Sequence, residues 1–147
     1  MKRLIIILLL IATCSFWLSA QSNLKVGRFF TDDVASRKNV TVVEVKSRDL
    51  KAYKLTVFKS VTVDNDATMA QSIEGCVKAD AQKAIEKETG LRGGRLYYGF
   101  YTFSLSKDKN CYIFYRNNLL VRGAKPQTTV VYMEGTASLA ELKNLYK

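Results

Sequence analysis

The sequence predicts an α+β fold: an antiparallel sheet of about five strands, one long helix packed on a face, and a short C-terminal helix, in the order β-β-α-β-β-β-α. Three observations predict it. Runs rich in β-branched and aromatic residues recur between polar breaks. One long apolar stripe at helical spacing separates the second run from the third. The regular β-α-β alternation of a doubly wound parallel sheet is missing.

The elements follow in order. Residues 24–36 carry Leu24, Phe29, Phe30 and Val34 at a spacing loose even for a short helix. Val40–Lys46 is β-branched and bounded by Asn39 and by Ser47-Arg48-Asp49, which predicts a strand. In residues 53–63, Leu55, Val57, Val61 and Val63 share one face, with Lys59 on it near an edge or bend. Thr56, Phe58, Ser60 and Thr62 share the other. Asp64-Asn65-Asp66 supplies side chains that accept from the orphan amides of a first helical turn. Met69, Ile73, Val77, Ala81, Ala84 and Ile85 continue as a helix stripe with Cys76 beside it, and Glu74 and Lys78 form an i,i+4 pair. Gly90 with Leu91 reads as a glycine C-cap, so the helix is expected over about 66–89. Gly93-Gly94 reads as a turn. Strands follow at Leu96–Phe103, Cys111–Arg116 and Thr128–Met133, the first two joined by the polar loop Ser106–Asn110. Ser138-Leu139-Ala140-Glu141 is a capping box opening a terminal helix with Leu139, Leu142, Leu145 and Tyr146 on one side.

Ahead of these elements stands an export signal. Lys2 and Arg3 precede an uncharged run from Leu4 to Ala20, which ends Leu18-Ser19-Ala20, placing a small residue for cleavage before Gln21. The run is short for a bilayer span. Ile11-Ala12-Thr13-Cys14 resembles a lipobox, but Thr13 fits poorly and the apolar segment continues past Cys14, so a lipid anchor there is the minor route. The organisation expected is a signal peptide at 1–20 and one exported domain at 21–147, periplasmic or secreted. No transmembrane segment is expected once the signal is removed. Removing residues 1–20 leaves 21 basic and 13 acidic residues, net +8, which favours an envelope protein or an anionic glycan as partner.

The chain has no His, which excludes His-based triads, His general bases and His metal ligands. No cofactor or metal is expected. Glu44 and Glu134, at or near strand ends, are the carboxylates on which a small hydrolase would rest; the spacing alone does not bring them together, so an enzyme is the less favoured reading. The loudest local feature is Arg92 to Phe103, answered by Tyr112 to Arg116, where basic and aromatic residues interleave on adjacent strands. Such a surface can stack bases and neutralise phosphates. However, Tyr97 and Tyr101 break its match to an RNA-binding strand motif, and export argues against nucleic acid. Arg95, Tyr98, Tyr112 and Arg116 are the candidate binding residues. Cys76 and Cys111 are either a disulfide, which export permits, or two buried thiols. If they meet, Cys111, Ile113 and Tyr115 face the helix and Tyr112, Phe114 and Arg116 face away.

Three stretches carry a resemblance: Ala52 to Ser60, Gly93 to Tyr101, and Tyr112 to Asn118 together with Val131 to Gly135. They resemble a family of short exported bacterial proteins catalogued only as a domain of unknown function. The resemblance implies an envelope or secreted location in a Gram-negative host. It brings no activity, cofactor or functional residue.

Overall fold

A computed structural model of the chain describes residues 23–119 and 121–145. The expected export signal at 1–20, with Cys14, and Tyr146 lie outside them. A 3-10 turn at Lys25–Phe29 and helix α1 (Asp32–Ala35) lead into strand β1 (Val40–Val45). Helix α2 (Ser47–Leu50) and a second 3-10 turn at Lys51–Tyr53 connect to β2 (Leu55–Asp64). Helix α3 (Ala67–Ala81) follows, then β3 (Glu86–Arg92), β4 (Arg95–Ser106), β5 (Lys109–Asn117), β6 (Gln127–Gly135) and helix α4 (Leu139–Asn144). The strands form one antiparallel sheet in the order β1-β2-β6-β5-β4-β3.

The sheet therefore has six strands where about five are expected, and the sixth comes out of the expected helix. That helix ends at Ala81, and Glu86–Arg92 is an outer strand. Glu86-Lys87-Glu88 favours helix intrinsically, but β4 presents a second row of amides and carbonyls beyond those taken by β5, and pairing with β3 satisfies them from Ile85 N–H to Thr102 C=O onward. Gly90 is thus no helix cap. It lies opposite Tyr98, and a side chain there would collide with that ring. Gly93 and Gly94 both take positive φ, 57° and 75°, the geometry of a tight β-hairpin turn.

Each face of the sheet has its own apolar cluster. On one side α3 lays Met69, Ile73, Val77 and Ala81 against Val61, Val63, Ile113, Tyr115 and Tyr132. Burying one such aliphatic side chain stabilises the fold by about 1.5–3 kcal/mol, and Ile73 and Val77 are fully buried. Cys111, Ile113 and Tyr115 belong to this face, and Tyr112 and Phe114 to the other. The loosely spaced leading segment joins the α3 side: Val26, Phe29 and Val34 are buried there. Its anchor is Asp80, 2% exposed, whose carboxylate accepts from the amides of Lys25 (2.8 Å) and Val26 (2.9 Å).

On the second face α2 and α4 place Leu50 and Leu142 over Phe100, Tyr112, Val131 and Met133. Leu55 also lies here and not with Val57, because a bulge between them turns the first residue of β2 over. The capping box of α4 is present, with Ser138 accepting from Glu141 N–H and Glu141 accepting from Ser138 N–H. Two ion pairs tack α4 down, Lys54 to Glu141 and Lys143 to Glu88. Gly135 lies so close to the 3-10 turn that any Cβ would fall 2.2 Å from the Lys54 carbonyl oxygen.

Asp80→Ala leaves two amides without their acceptor. We expect a loss of about 1–3 kcal/mol per buried donor, read as a lower denaturation midpoint, with faster amide exchange at Lys25 and Val26. Unchanged exchange there would show that the leading segment is held by its apolar side chains alone.

Candidate functional site

The four candidate residues do not form one site. Arg95 lies on the α3 side, its Nη2 2.6 Å from Glu74 Oε2. Tyr112 is fully buried and donates its hydroxyl hydrogen to the carbonyls of Ala137 (2.5 Å) and Gly135 (3.3 Å), so it fixes the approach to α4. Tyr98 and Arg116 are brought together as directly opposed residues of β4 and β5 on the second face. Tyr98 is half-buried, 3.4 Å from Glu88 Oε1 through its hydroxyl. Arg116 is exposed and, among the described residues, has no carboxylate partner.

Arg116 overhangs a cleft of about 460 Å³ in the part of this face that α4 leaves bare. Its floor is Phe58, Phe114 and Val131, contributed by β2, β5 and β6. Its rim is polar. Thr129 stands opposite Arg116 on β6 and meets the hydroxyl of Thr62 on β2 at 3.1 Å. Gln127 and Asn118 close the end: Gln127 N–H donates to Asn118 Oδ1 at 2.6 Å, and the Gln127 side chain donates to Asp64 at 2.9 Å. The cleft thus joins an apolar floor to hydroxyls, amides and one guanidinium. Sequence reasoning missed all of these residues except Arg116. The alternation that puts 58, 60 and 62 on one face was legible, but only the strand order β2-β6-β5 sets them beside 114, 116, 127 and 129.

The other sequence candidates sit elsewhere. Glu44 and Glu134 share the α3 face of the sheet on β1 and β6, with β2 between them. Strand spacing puts their Cα atoms roughly 12 Å apart. Each has its own lysine: Lys59 lies 3.7 Å from Glu44 and Lys109 2.8 Å from Glu134. Glu134 also accepts from the Tyr132 hydroxyl at 2.7 Å, and burial first and that bond second push the Tyr132 phenol far above its ordinary value. The interleaved aromatics of β4 and β5 point mostly inward, with Tyr101, Phe103 and Tyr115 beneath α3 and Phe100 on the second cluster. Of the acidic trio before α3, Asp66 caps the helix by accepting from Met69 N–H at 2.9 Å, and Asp64 holds Gln127. Among the described residues no group of three or more Cys, Asp or Glu is gathered as metal ligands would be.

Cys76 and Cys111 are free thiols. Burial pushes the Cys111 thiol up to about 11, which keeps it protonated and unreactive at neutral pH. Glu74 is a different buried acid, 5% exposed. Burial raises its carboxyl, but hydrogen bonds from Lys78, Arg95 and the Leu96 amide outweigh it and hold the carboxyl below its ordinary value. The cluster links the middle of α3 to the first residues of β4.

A model of a family of unknown function (DUF6108) matches residues 13–146. No curated protein and no solved structure matches the chain. Among the described residues no helix is long and apolar enough to cross a membrane.

Two outcomes are expected. A carboxylate held low stabilises the fold above its unfolded-state pKa of about 4.3, and that contribution is lost as pH falls through the folded value. Wild-type melting temperature should therefore drop below about pH 4.3, and Glu74→Gln should flatten that drop while lowering stability at neutral pH by about 1–3 kcal/mol. In native protein, alkylation should modify Cys76 faster than Cys111, which should react only on unfolding. Equal rates would show that Cys111 is reachable from solvent.

Proposed function

We propose that the chain, which belongs to DUF6108, a family of unknown function, is an exported, non-enzymatic binding domain of the cell envelope or secreted fraction that takes an anionic glycan on its second sheet face. The observation that carries this reading is Arg116, exposed and unpaired among the described residues, over a cleft with an aromatic floor and a hydroxyl and amide rim. A guanidinium fork matches the two oxygens of a carboxylate or sulfate. Phe58 and Phe114 offer apolar area to the C–H face of a sugar ring, and the rim offers donors and acceptors to its hydroxyls. The cleft volume falls within the range of small-molecule sites, about 300–1,000 Å³. The net charge of the chain without residues 1–20, +8, adds long-range attraction for a polyanion.

Calorimetric titration with an oligogalacturonate and with an uncharged xylo-oligosaccharide of the same length tests the reading. The acidic ligand should bind and the neutral one should bind much more weakly. Arg116→Ala should weaken the acidic ligand by about tenfold or more, the worth of one charge-assisted contact, and the loss should shrink at high salt. Absence of binding, or an Arg116→Ala affinity equal to wild type, would overturn it.

A further inference from the structure

The two outer strands of the sheet are built differently. β3 carries Glu86, Lys87, Glu88 and Arg92 within seven residues and a register shift between Gly90 and Leu91. Charge and irregularity of this kind discourage further strand pairing. β1 carries less of either: Val-Thr-Val-Val-Glu-Val holds one charge, Glu44, which pairs with Lys59 of β2, the strand pairs with β2 without a break, and Val42 and Val43 are 39% and 46% exposed. Ladder parity decides which of its backbone groups are open. Asp64 N–H donates to Asn39 C=O at 2.9 Å, so the odd-numbered residues of β1 bond to β2, and the amides and carbonyls of Val42 and Glu44 point outward. Among the described residues no strand covers them. Two lysines flank this row in sequence, Lys38 in the turn before β1 and Lys46 just after the strand, each four positions from Val42 and neither ion-paired among the described residues.

We propose that the β1 edge takes up an extended segment of a partner protein as a seventh, antiparallel strand, with apolar residues opposite Val42 and Val43 and acidic residues four positions to either side. Main-chain bonds supply affinity in this mode and side chains supply selectivity. Charge selects the occupant. A second copy pairing about Val42 would set Lys38 of one chain against Lys46 of the other, whereas an acidic-ended strand neutralises both. No β1 residue lines the Arg116 cleft, although Val43 lies opposite Ser60 of its wall; the Arg116→Ala variant below keeps this inference distinguishable from the glycan reading.

The test uses the exported protein and a nine-residue peptide with glutamate at its first and last positions, valine at the fourth and fifth, and threonine elsewhere. A lysine-ended version is the control. The glutamate peptide should slow amide exchange at Val42 and Glu44. Val42→Pro removes one outward N–H while sparing the bonds to β2, a placement an outer strand tolerates, and should weaken the peptide by about tenfold or more. Should that variant fail to fold, Lys38→Glu combined with Lys46→Glu, both exposed, should reverse the preference to the lysine-ended peptide. Arg116→Ala should bind the peptide as wild type does. The proposal is overturned by no protection at about 1 mM peptide, by protection away from β1, by unchanged affinity in Val42→Pro, by an unreversed charge preference, or by self-association through β1 without peptide.

Discussion

Both faces of the six-stranded sheet are apolar, and the described residues hold one long helix with which to cover them. That mismatch organises the rest of the molecule. Helix α3, 15 residues long, covers its own face together with the leading segment. The other face is left to α2 and α4, of four and six residues. They cover Tyr112 and Met133 and leave the end of the sheet at Phe58, Phe114 and Arg116 as a cleft. The candidate site is a remainder of coverage and not an added feature.

Short covers need polar fastening, because little apolar area holds them. Asp80 fastens the leading segment through two backbone amides, and the Tyr112 hydroxyl fastens the run into α4 through the carbonyls of Gly135 and Ala137. Both acceptances sit in buried surroundings, where a satisfied hydrogen bond is modest in net worth but its loss is costly. Glu74 does the same work between α3 and β4, its own burial compensated by two cations and an amide. The ion pairs on the outer side of α4 are exposed and of the kind that contributes little.

What was legible in the sequence is what local chemistry decides. The capping box at Ser138, the Asp66 cap, the glycine turn and the alternation in β5 all came through, because each depends on a few neighbouring side chains. The sixth strand did not. Its Glu86-Lys87-Glu88 start has helical preference, and its partner, β4, is what makes it a strand. Leu55 crossed to the opposite face because a bulge, invisible in an alternating pattern, reset the parity. For the site, Arg116 was legible as a basic residue among aromatics, whereas Tyr112 looked equivalent to it and lies in the core. Both stand on β5 and face the same way, so what separates them is their position along the strand relative to the end that α4 covers.

β6 is the last strand in the chain and sits in the interior of the sheet, bonded to β2 on one side and β5 on the other. The β3-β4-β5 meander is joined by tight turns and needs only local loop closure, whereas the β2–β6 pairing closes across 63 to 80 residues, an entropically slower step. Until residue 135 is available the chain holds two separate pieces, β1-β2 and β3-β4-β5, each with an unprotected inner edge. A truncation before β6 therefore divides the sheet through its middle.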